Sequence, residues 1–110
     1  MELISYAIDF VSFLMQNLKD IEREKIKSII LFGSVARGEA KKESDVDIFI
    51  DIINNSEKIE KETKRITEDF FNSVKYTKYW KLLGIENDFQ VIIGKIKEWK
   101  LKDSMLGNSF

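Results

Sequence analysis

Residues 29 to 51 read I-I-L-F-G-S-V-A-R-G-E-A-K-K-E-S-D-V-D-I-F-I-D. Ile29 to Phe32 are apolar, the first two β-branched, and Gly33 closes the run, so the segment reads as a buried strand ending in a tight turn. Gly33 lacks a Cβ, which lets backbone N–H groups approach a phosphate closely, and the Ser34 hydroxyl adds a donor. The turn is therefore able to cradle a phosphate group. Past a polar linker, a second apolar run opens with Asp45 and Asp47. Strand side chains alternate, so these carboxylates share one face while Val46, Ile48 and Ile50 share the other. The two charges, roughly 7 Å apart by the usual strand rise, repel unless a cation sits between them. Oxygen ligands of this kind suit Mg2+, which completes its shell with waters and substrate phosphates.

At these residues the sequence resembles the nucleotidyltransferase superfamily of DNA polymerase beta, and more narrowly the small minimal nucleotidyltransferases of archaea and bacteria. The resemblance rests on G-S-V-A-R-G-E-A-K-K-E-S-D-V-D-I, with Gly-Ser followed after about ten residues by Ser-Asp-x-Asp. It implies a phosphate grip at Gly33 and Ser34 and a metal-binding pair at Asp45 and Asp47. Arg37 falls inside the motif, where its planar fork suits phosphate oxygens or a carboxylate. Ser44 stands before Asp45, placed either to orient that carboxylate or to cap the start of the strand. Lys41 and Lys42 read equally well as phosphate contacts or as a mixed-charge surface loop.

Working outward, Glu2 to Lys19 carries apolar residues at three- and four-residue spacing, an amphipathic helix. Asp20 to Lys27 reads as a charged connection into the first strand, with Arg23, Lys25 and Lys27 in solvent. On the other side, Ser56 offers an N-cap to a long helix over about 57 to 73, with Ile59, Ile66, Phe70 and Val74 on its inner face and its charges outside. Tyr76, Tyr79 and Trp80 lie among lysines, an arrangement that stacks nucleobases in some proteins and more often packs into a core. Asp88 to Ile93 reads as a third strand.

That strand departs from the family pattern. Transferring members carry a third carboxylate on a later strand, and here Gln90 stands between apolar neighbours. Asp88, two residues earlier, shares the face of Gln90 and is the candidate to complete the catalytic set, with Glu86 more distant. Beyond it, Ile96 to Leu106 suggests a last amphipathic helix or helical turn, and Gly107-Asn108-Ser109 a turn. A chain that stops at Phe110, one residue into a new apolar segment, reads as cut.

The 110 residues suit one domain, and 44% hydrophobic residues with eight Phe support a sizeable core. Neither Cys nor His occurs, which leaves disulfides, thiolate nucleophiles, imidazole bases and the usual zinc sites out of reach. A net charge of -1 gives no global basic field for nucleic acid. No segment approaches the ~20 apolar residues of a membrane span, so a cytoplasmic protein is expected.

The expected fold is α/β or α+β, a small mixed sheet of three or more strands under two main helices. The resemblance implies an enzyme that moves a nucleoside monophosphate from an NTP, ATP favoured, to a hydroxyl on a protein, nucleic acid or small molecule. In that scheme Asp45, Asp47 and Asp88 hold two Mg2+ ions. A rival reading is a catalytically weak nucleotide-binding module, an antitoxin-like partner of a HEPN-type protein, with which similar sequences are commonly paired. Homo-oligomerisation is left open.

Overall fold

A computed structural model describes residues 2–54, 57–99 and 106–109. Helix α1 (Glu2–Asn17) leads through a helical turn, α2 (Asp20–Arg23), into strand β1 (Ile26–Phe32). A second turn, α3 (Gly33–Ala36), begins where β1 ends, and a loop then reaches β2 (Val46–Ile52). Helix α4 (Glu57–Phe71) and a short helical segment through Leu83 carry the chain to β3 (Phe89–Gly94). After α5 (Ile96–Trp99), strand β4 (Leu106–Ser109) completes a four-stranded sheet in the order β3-β2-β1-β4. β1 pairs antiparallel with both β2 and β4, whereas β2 and β3 run parallel. A parallel pair needs a long crossover, which α4 supplies.

Alternation along the strands assigns two faces. Ile29 and Leu31 of β1 and Val46, Ile48, Ile50 and Ile52 of β2 join the main core with Phe10 and Leu14 of α1 and Ile59, Ile66 and Phe70 of α4. Ile30, Phe32 and Phe49 form a smaller cluster with Ile92 and Ile96 on the opposite face. There the buried Asp51 accepts a hydrogen bond from the Ile96 N–H at 3.0 Å, fastening α5 to the sheet. An aromatic stack anchors the first core, with Phe10 and Phe89 ring centres 4.0 Å apart and Tyr6 and Phe89 4.8 Å apart. Among the described residues no helix is long and apolar enough to cross a membrane.

The mixed sheet and the two main helices follow the expected pattern, with several local corrections. Residues 106 to 109 form a strand on β1 in place of the expected turn. α4 ends at Phe71 and the chain turns away, so Val74 is exposed instead of continuing the Phe70 face. Glu62 is buried despite its charge, because it stands three residues after Ile59 and four before Ile66, on the inward face. Glu22, in the charged connection ahead of β1, is buried and accepts from the half-buried Lys25 Nζ at 3.1 Å. Tyr76 and Trp80 pack into the core, and the Trp80 indole donates to Asp9 Oδ2 at 2.8 Å, so the stacking platform is absent from both rings. The expected Ser56 cap lies outside the described residues.

Candidate active site

The pairing of β1 with β2 sets Phe32 opposite Asp47. The chain therefore turns into α3 beside this carboxylate. Gly33 takes φ +75°, and a Cβ at this position would collide with the Asp47 carboxylate. Only glycine allows both the left-handed backbone and the close approach. No side chain caps α3, which leaves its leading N–H groups, including that of Ser34, without the usual internal acceptor. The Ser34 carbonyl accepts from the Glu39 N–H at 2.8 Å and closes the first part of the loop.

Asp47 is half-buried and points to the face opposite Val46 and Ile48. Burial first, and then the charge of Asp45, push its carboxyl up from the ordinary value, while the Arg37 guanidinium pulls it back. Asp45, Asp47 and Arg37 thus form one electrostatic group at the end of β1. Arg37 is exposed and reaches Glu39 with Nε at 3.4 Å from Oε2. Ser44 serves the loop, since its hydroxyl accepts from the Lys41 N–H at 2.8 Å.

Asn87 was not evident from the sequence. Buried just ahead of β3, its side-chain amide donates to the Lys42 carbonyl at 3.0 Å and the Ser44 carbonyl at 2.6 Å. Its own carbonyl accepts from the buried Tyr6 hydroxyl at 2.7 Å. The residues immediately before Asp45 are therefore tied to β3 and, through β3, to α1. An Asn between two acidic residues reads as a turn residue, and nothing local signals contacts more than forty positions away.

The third strand separates the two remaining candidates. Parallel register sets Gln90 beside Asp47, on the same face. Asp88 precedes β3, and its carbonyl accepts from the Val46 N–H at 2.9 Å. It is exposed and lines a cleft of about 280 Å3 with Asp45, Glu43 and Glu86. Its charge acts on the hydroxyl of Tyr6, which burial above all pushes up, whereas the charges felt by Asp47 are those of Asp45 and Arg37. Among the described residues no three carboxylates stand close enough to hold one metal ion together. A larger cavity of about 390 Å3, lined by Thr63, Thr67, Phe89, Val91 and Ile93, lies on the other face of β3 and is no part of this group.

A family model for the nucleotidyltransferase domain matches residues 14–108, a span that holds the whole arrangement from Gly33 to Gln90. The chain belongs to the nucleotidyltransferase domain family. It is 36% identical over 91 residues to a Methanocaldococcus jannaschii protein named "Putative protein adenylyltransferase MJ0128", covering 76% of this chain and 74% of that one. A second protein of that organism, "Putative protein adenylyltransferase MJ1379", is 54% identical over 39 residues. That match spans 36% of this chain and 37% of the relative. No solved structure matches.

For a nucleotidyltransferase domain the donor set is of the right chemistry. Asp45 and Asp47 offer oxygen ligands only, and a bound cation would favour the charged form of the Asp47 carboxyl, which burial and then the charge of Asp45 push up. A hard divalent ion such as Mg2+ fits this pair.

Proposed function

We propose that this domain transfers a nucleoside monophosphate from an NTP, with ATP favoured, to a hydroxyl group, and that the acceptor is a protein side chain. The observation that carries the reading is the close approach of the Gly33 turn to the Asp47 carboxylate, with Asp45 beside it. It supports a site in which triphosphate-binding donors and a cation-binding carboxylate pair share one end of the neighbouring strands β1 and β2. The names of the relatives, protein adenylyltransferases, favour ATP and a protein acceptor.

In the proposed reaction an acceptor hydroxyl oxygen attacks the α-phosphorus. A new P–O bond forms as the bond from the α-phosphorus to the bridging oxygen breaks, and pyrophosphate leaves with that electron pair. The hydroxyl proton passes to solvent. Gly33 and Ser34 hold the β- and γ-phosphates through N–H and hydroxyl donors, and Arg37 offers its guanidinium to phosphate oxygens. Asp45 and Asp47 would hold Mg2+, which when bound supplies charge neutralisation at the phosphates. Asn87, through the Lys42 and Ser44 carbonyls, holds Asp45 in place. Preorganised donors and positioning carry most of the acceleration in such chemistry.

A second reading, a nucleotide-binding partner module for a HEPN-type protein, is favoured by one feature, the neutral Gln90 beside Asp47. Isothermal titration of ATP with and without Mg2+, on the wild type and on Asp45→Asn/Asp47→Asn, tests the shared site. Mg2+-dependent binding that the double variant loses supports it, and equal binding by both proteins contradicts it. Label from α-phosphate on an acceptor then separates the transferase from the binding module.

A further inference from the structure

The nucleotide-transfer reading brings with it the expectation of two metal ions, and the register of β3 opposes it. Asp47 has Gln90 as its in-register neighbour, side chain on the same face. Gln90 is exposed, so its amide is accessible to anything bound at the pair. The position that extends the carboxylate pair across the sheet is thus filled by a neutral group. A carboxamide offers a metal one weak carbonyl ligand and no charge.

Resting on the nucleotide-transfer reading, we infer that this site recruits one divalent cation with its nucleotide, and that Gln90 is the residue that withholds a second. Two divalent ions in a two-metal site sit about 3.5–4 Å apart, so both need carboxylates around them. Asp45 and Asp47 supply two negative charges, which match one such ion. Asp88 does not restore the third. It lines the cleft beside Asp45, and among the described residues it closes no three-carboxylate cluster with the pair. The same arrangement makes transfer slow relative to a site with a carboxylate at this position.

The test counts ions without needing turnover. Wild type, Gln90→Glu and Asp88→Asn are each mixed with Mn2+ and α,β-methylene-ATP. Bound Mn2+ is counted by electron paramagnetic resonance against a nucleotide-only control, and the spectra are inspected for coupling between neighbouring ions. Gln90→Glu is isosteric, and near-ultraviolet circular dichroism verifies that its core is unchanged.

The expected result is one uncoupled Mn2+ per chain in the wild type and in Asp88→Asn, and two coupled ions in Gln90→Glu. Alongside it, the single-turnover rate of α-phosphate transfer from ATP rises at least tenfold in Gln90→Glu. Two coupled ions in the wild type overturn the inference and leave the transferase reading intact; a fall to one in Asp88→Asn then assigns Asp88 as the missing ligand. One ion in both wild type and Gln90→Glu also overturns it. No nucleotide-dependent Mn2+ in any of the proteins overturns the transferase reading itself.

Discussion

The two seams of β2 are built differently. Along the seam with β1, the end of the site is crowded and held, with Gly33 fitted against Asp47 and charges from Asp45 and Arg37 beside it. Along the seam with β3, the same face presents a single neutral amide, Gln90, open to solvent. The first seam is specified by backbone geometry and charge together. The second shares the register but carries no carboxylate at that position. On the proposed reading, the first seam would hold the nucleotide and its cation, and the second adds no charge to it.

The largest effect expected on this contrast comes from the first seam. Replacing both Asp45 and Asp47 by Asn is expected to weaken Mg2+·ATP binding at least about 100-fold, on the order of 2.7 kcal/mol, while the melting temperature without Mg2+ stays level or rises as repulsion is removed. Equal affinity in titration would erase the contrast.

Gly33→Ala is next. Left-handed strain of about 1–2 kcal/mol adds to the overlap with Asp47. A fall in melting temperature on the order of 5–10 °C is expected, with a roughly tenfold loss of nucleotide affinity. Unchanged melting would mean that Asp47 moves aside freely.

Asn87→Ala releases the loop before Asp45 without touching either carboxylate. Two carbonyls lose their donor, at about 1–3 kcal/mol. Hydrogen exchange at Ser44 and Val46 is expected to quicken, and Mg2+·ATP affinity to fall less than for Gly33→Ala. The smallest effect is expected at Leu82→Ser, on an exposed helical turn, within about 0.5 kcal/mol of wild type by chemical denaturation.

Much of this was legible in the chain. Ile29 to Phe32 and Val46 to Ile52 announce themselves as strands, because burial on one face imposes alternation at Val46, Ile48 and Ile50 while Asp45 and Asp47 take the other. Spacing of the apolar residues likewise revealed α1 and α4. What escaped detection was decided by distant contacts. Gly107-Asn108-Ser109 has the composition of a turn and forms a strand because β1 offers it an open edge. Glu22 stands in an all-charged run, where no periodicity distinguishes a buried carboxylate from a solvated one. Asn87 draws its role from the Lys42 and Ser44 carbonyls and the Tyr6 hydroxyl. Gln90 was visible as a departure from a family pattern, and the parallel register placed it beside Asp47.

The Gly33 turn and the Asp45–Asp47 pair are proposed to serve nucleotidyl transfer. The most direct measurement follows ATP labelled at the α-phosphate and, in a parallel sample, at the γ-phosphate, in the presence of Mg2+ and a cell extract as the source of acceptor. Nucleotidyl transfer puts α-label on protein, releases γ-label as pyrophosphate, and does neither with Asp45→Asn/Asp47→Asn. Label reaching protein from the γ-phosphate, or α-label reaching it equally with the double variant, would rule out nucleotidyl transfer at this site.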